Sequence, residues 1–91
     1  ASPPYYSQIL QELGVYILRG KRFYVGRTSD LKRRLDEHRR GHTDTTKRIG
    51  KWHLEEFIPC STTNDAIHLE MQIKKSKNIK KWLERYREQP R

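Results

Sequence analysis

The chain has 91 residues, enough for one domain with a core so small that every buried apolar side chain counts. Its 20 Lys and Arg against 11 Asp and Glu leave a net charge of +9, which favours a polyanionic partner, nucleic acid being the commonest. No apolar run is long enough to span a bilayer, nothing resembles a signal peptide, and the single Cys60 excludes an internal disulfide and a Cys-rich zinc site. A cytoplasmic protein with no membrane partner is expected.

Ser2-Pro3-Pro4 reads as a cap with prolines in a first helical turn, and Tyr6, Ile9, Leu10 and Leu13 recur at helical spacing. The chain is therefore expected to begin with an extra helix that Gly14 ends. Val15 to Arg19 and Phe23 to Arg27 are largely β-branched, aromatic or aliphatic, with Gly20 between them, the pattern of an antiparallel hairpin. Thr28 or Ser29 can cap the next helix, Asp30 suits its first turn, and Gly41 suits its end. Residues 42–50 are polar and basic and read as a loop. Trp52, Leu54, Glu56 and Ile58 alternate with His53, Glu55 and Phe57, a third strand that Pro59 closes. Thr63 can cap a second long helix running from Asn64 to about Lys75. The apolar phase then slips to a fresh stripe of Ile79, Trp82, Leu83 and Tyr86, so a break near Ser76 to Asn78 precedes a last helix. The expected fold is α+β: a three-stranded antiparallel β-sheet flanked by helices, in a single domain over 1–91.

Chemistry enters where polar residues interrupt apolar stripes. Leu31, Arg34, Leu35 and His38 stand at i, i+3, i+4 and i+7, one helix face, and two of the four are basic. A polar cleft beside the core accounts for that; the plainer account is an arginine that snorkels to the surface and a boundary histidine. Glu70 interrupts the stripe of Ala66 and Ile73 in the same way, either as an oxygen ligand for a divalent cation or as a half-buried acid paired with a neighbouring base. Tyr16 and Tyr24 share a sheet face only if the hairpin connection has an odd number of residues, pairing 24 with 16 or with 18, and an odd-length loop such as three residues, containing Gly20, is expected. A two-residue turn puts them on opposite faces, and core packing is the ordinary use of strand tyrosines. His38 and His42 have a spacing known from zinc sites, but Gly41 between them ends the helix and no Glu completes an H-E-x-x-H pattern. Thr43, Thr45, Thr46, Lys47 and Arg48 offer hydroxyls and cations for phosphate contacts. Lys74, Lys75, Lys77, Lys80 and Lys81 form a basic run that is either a solvated face or an extension of such a surface.

G-V-Y at 14–16 and Y-V-G at 24–26 resemble the signature of the GIY-YIG nucleases, with Val for Ile in each triplet. R-T-S-D-L-K-R-R-L-D-E-H at 27–38 is similar to that family's next motif, an Arg four residues before a His on the first helix, and A-I-H-L-E ending at Glu70 to the segment with its metal-binding Glu. The resemblance covers a motif-bearing core at about 14–83, and the size resembles the compact URI-domain members. The resemblance implies a DNA endonuclease, a phosphodiester hydrolase using one divalent ion, Mg²⁺ or Mn²⁺. It implies that Tyr16 helps activate water, Tyr24 positions water or phosphate, Arg34 holds the phosphate, His38 shuttles a proton and Glu70 binds the metal. Gly14 and Gly26 are structural in the motif, and Gly26 permits close approach of substrate or of a neighbouring residue. Arg27, Lys47, Arg48 and Lys74 are expected to contact DNA. The family's later Asn has no clear counterpart, since Asn78 lies close to Glu70 at a helix break and reads as a cap. A catalytically silent nucleic-acid-binding module is the alternative. The need for a partner protein or a second copy stays open.

Overall fold

The computed structural model describes residues 12–41 and 44–89; the expected N-terminal helix lies outside them, as do His42 and Thr43. Three strands, β1 (Gly14–Arg19), β2 (Phe23–Thr28) and β3 (His53–Pro59), form one antiparallel sheet in the order β2-β1-β3. Among the described residues, four helices pack with it: α1 (Leu31–Arg39), α2 (Asp44–Ile49), α3 (Thr63–Lys75) and α4 (Ile79–Glu88).

β1 is the central strand, and its run V-Y-I-L carries no alternation of polarity because both of its faces are covered. Val15 and Ile17 join Val25 and Ile58 against Ala66 and Ile73 of α3 and Leu83 of α4. Tyr16 and Leu18 face the other way, against Leu35 of α1 and Ile49 of α2. Each fully buried aliphatic side chain is worth about 1.5–3 kcal/mol, so Ile17 and Ile73, both fully buried, anchor the apolar layer.

The hairpin connection is Gly20-Lys21-Arg22, three residues long as expected, and Leu18 rather than Tyr16 stands opposite Tyr24. Tyr16 stands opposite Gly26. Both tyrosines thus share the face that packs on α1 and α2.

Several local expectations shift. Asp30, not Thr28 or Ser29, caps α1 by accepting a hydrogen bond from the Arg33 amide at 3.1 Å, while Thr28 Oγ1 receives the Asp30 amide. Gly41 follows α1 with a positive φ of 72°, a conformation glycine adopts without strain. The expected 42–50 loop contains α2, held to the core by buried Ile49. Thr62, one residue earlier than expected, caps α3. Asn78 caps α4 as expected, its Oδ1 accepting the Lys81 amide at 3.0 Å.

β3 departs from its alternating pattern. Ile17 stands opposite Glu56 and Leu18 opposite Leu54, leaving Glu55 as the extra residue of a bulge. The bulge moves Trp52 to the face of Tyr16 and Phe57, while Ile58 stays in the opposite layer. From α4, Arg87 holds the bulge, donating to the Glu55 carbonyl at 2.9 Å and to the Glu55 and Glu56 carboxylates at 3.2 and 2.9 Å.

Candidate active site

Tyr16 is fully buried at the centre of the sheet, yet its hydroxyl meets two polar groups from α1. His38 Nε2 lies 3.0 Å away, and Arg34 Nε donates to the same oxygen at 3.1 Å. The i, i+4 spacing of Arg34 and His38 aims both side chains at this one atom, with Leu35 between them seating the helix on the core. His38 is itself fully buried. Tyr24 closes the group: its ring centroid lies 6.0 Å from that of Tyr16 and 5.7 Å from that of His38. Its hydroxyl interacts with both Tyr16 and Arg34. The four residues Tyr16, Tyr24, Arg34 and His38 thus converge from three elements.

Gly26 makes room for this convergence. A Cβ on it would sit 2.6 Å from the Tyr16 hydroxyl oxygen and 2.7 Å from Cζ, so a side chain would displace the ring. The neighbour that approaches closely here is Tyr16 itself. Gly14 opens β1 opposite Thr28 and Pro59, where an added Cβ would collide with the Ile58 carbonyl.

Electrostatics set the protonation states. Burial pushes the Tyr16 phenol up to about 12, against a smaller opposing pull from Arg34. Burial lowers His38 below the usual imidazole value, and the Arg34 charge lowers it further. Tyr16 therefore holds its proton near neutral pH while His38 is neutral and able to accept one. Arg34 is raised, chiefly by its bond to Tyr16 and with help from Glu37 at 2.9 Å, and stays charged.

Glu70 belongs to a second group. It is 8% exposed on α3, and its Oε1 accepts from Arg27 at 2.7 Å while its Oε2 accepts from Lys74 at 2.9 Å. Burial pushes this carboxyl up, but Lys74 and Arg27 together outweigh it and leave it below the ordinary carboxylate range. Arg27 follows Gly26 on β2 and stands opposite Val15, on the other side of the strand from the tyrosines. Because β2 is an edge strand, the two groups lie on either side of that edge, Tyr24 in one and Arg27 in the other.

Glu70 offers an ionised carboxylate, the donor type a divalent ion takes, but Arg27 and Lys74 hold its two oxygens and an ion would have to displace them. Among the described residues no group of three or more His, Cys, Asp or Glu is placed to hold a metal. An ion there would take its other ligands from water and phosphate, as Mg²⁺ does.

Two residues at the site were not singled out by sequence reasoning. Glu37 holds Arg34 through an ion pair at 2.9 Å. Trp52 packs edge-on against His38 at 5.9 Å, brought there by the bulge. Arg27 and Lys74, expected on DNA, are also the ion-pair partners of Glu70. Lys47 and Arg48 lie exposed on α2.

The family model for the GIY-YIG catalytic domain matches residues 12–86. The chain belongs to the GIY-YIG family. Its triplet at 14–16 opens β1 and its triplet at 24–26 lies inside β2, and the two meet at one pair, Tyr16 opposite Gly26. GIY-YIG domains are typically nucleases, and the three-stranded antiparallel sheet with helices is the family's fold. Searches of curated proteins and of solved structures gave no match. No helix among the described residues is long and apolar enough to cross a membrane.

Proposed function

We propose that this GIY-YIG chain is a divalent-metal-dependent endonuclease that hydrolyses DNA phosphodiester bonds. The observation that carries the reading is the buried meeting of Tyr16, His38 and Arg34 at one oxygen atom. A phenol with a pKa of about 12 is a poor base alone. Beside a neutral imidazole it becomes a relay. As the attacking water loses a proton to the Tyr16 oxygen, the phenol's own proton moves to His38 Nε2. Arg34 offers its guanidinium to the phosphate oxygens, where charge builds as the water attacks. Tyr24, beside both Tyr16 and Arg34, positions the water or the phosphate.

Glu70 would hold one Mg²⁺ or Mn²⁺, which when bound polarises the phosphate and stabilises the leaving 3′ oxygen. Arg27 and Lys74 neutralise that carboxylate and can pass to phosphate oxygens when DNA arrives, joining Lys47 and Arg48 on the backbone. A domain with so little surface is suited to reading branched, nicked or flexible DNA rather than sequence.

One observation favours the second reading, a silent nucleic-acid-binding module: both oxygens of Glu70 are already satisfied by this chain's own cations. The test is cleavage of supercoiled, branched, flapped and single-stranded DNA with Mg²⁺, with Mn²⁺ and with chelator, beside an Arg34→Ala variant. Cutting that needs metal and is lost in the variant is the expected result. Tight binding with no cutting under either metal would overturn the enzyme in favour of the silent module.

A further inference from the structure

The turn between α3 and α4 borders a groove of about 350 Å³ lined by Phe23, Lys74, Lys77, Asn78, Ile79 and Lys80. Three of these six are lysines, none is acidic, and all three lysines are exposed. One of them sits where its backbone is strained. Lys77 has a φ of 63°, the left-handed conformation in which a Cβ crowds the neighbouring carbonyl and which glycine adopts freely. Glycine is the common choice just past a helix end, so a lysine here sacrifices local stability and contributes a positive charge at the groove.

The groove is also tied to the candidate site. Lys74, which lines it, reaches Glu70 Oε2 at 2.9 Å. Phe23 gives it an apolar wall, with the Arg19 guanidinium 5.1 Å from the ring centroid adding a further cation.

We propose that this groove carries the phosphodiester backbone of the DNA strand next to the scissile bond, with Lys77 and Lys80 on successive phosphates and Lys74 handing the strand to the Glu70 site. The proposal rests on the endonuclease reading above and extends its substrate contact beyond the reacting phosphate. Phosphate contacts of this kind position a strand without reading its bases, and each shows in the salt dependence of binding through counterion release.

The experiment is fluorescence anisotropy of duplex and flapped DNA in chelator, over a range of salt, with the parent chain, Lys77→Gly, Lys77→Gly/Lys80→Gln and a matched control, Arg85→Gln. Arg85 is on α4 but does not line the groove, so its loss removes one charge without removing the contact. Lys77→Gly is expected to melt a few degrees higher than the parent, because the strain is relieved, and yet to bind DNA more weakly. A more stable variant that binds less well is a result misfolding cannot produce. In the double variant the slope of log affinity against log salt falls by about two, roughly one per lost contact, and affinity at low salt drops about tenfold or more. Arg85→Gln shifts that slope by less than half a contact. Double-variant binding with the parent's slope, or no weaker than the Arg85→Gln control, overturns the groove. If the parent binds and cuts DNA while the groove variants match the control, only this proposal falls; if the parent binds no DNA, the endonuclease reading falls with it.

Discussion

The two polar groups beside β2 solve opposite problems. Around Tyr16, burial dominates: the phenol rises to about 12, the imidazole falls, and the groups are held by hydrogen bonds. Around Glu70, charge dominates: burial alone would raise the carboxyl, but two cations outweigh it and keep it ionised. The first group is suited to moving a proton and the second to holding a cation. Placing them on opposite sides of one edge strand lets each keep its own electrostatic setting. A single mixed cluster would neutralise itself, with Glu70 holding His38 protonated and Arg34 occupied.

The strongest way to break the first group without touching the second is at Gly26. Gly26→Ala places a Cβ against a Tyr16 ring that has no room to retreat, and should cost about 1–3 kcal/mol by overpacking while removing most cleavage. Chemical denaturation and cleavage measured together check this; parent-like stability would mean that Tyr16 is not held over Gly26. A smaller effect comes from pH. His38 has a folded-state pKa below its usual 6.5, so the unfolded chain takes up its proton first as pH falls. The stability it contributes is full above about 6.5 and is lost as pH drops from there towards the lower folded value. Glu55 and Glu70, both lowered from 4.5, contribute stability that is lost only at more acid pH, so the window between pH 7 and 5 reports the imidazole. A His38 ring that NMR shows titrating above 6.5 would contradict the account. The smallest effect is expected at Glu37→Gln. This ion pair with Arg34 is about a third exposed on both sides and should be worth no more than about 1 kcal/mol in thermal unfolding. A larger loss would mean that Arg34 depends on Glu37 for its place.

What was legible in the sequence was whatever depends on local spacing. Arg34 and His38 reach one atom because i and i+4 share a helix face, and the tyrosines share a sheet face because the connection is odd. Glu70 stood out because it breaks an apolar stripe, and of its two accounts the structure shows the half-buried acid paired with bases. What was hidden depends on pairing between distant segments. The bulge at Glu55 leaves an alternating strand looking regular, so nothing local shows that Trp52 reaches His38. Arg27 lies 43 residues from Glu70, and a basic side chain looks the same in sequence whether it awaits a phosphate or holds a carboxylate. α2 was missed because Ile49 is the single apolar residue in an otherwise polar six-residue segment.

The most direct test of two groups serving one reaction is single-turnover cleavage of the best DNA substrate by Tyr16→Phe and Glu70→Gln, with binding measured in parallel. The account predicts that Tyr16→Phe slows the chemical step by about 10²–10⁴, the range for a lost proton-transfer group, and that Glu70→Gln abolishes the metal-dependent rate. Both variants should bind DNA nearly as the parent does. Metal-dependent cleavage at the parent's rate in either variant would contradict it, removing that residue's group from the reaction.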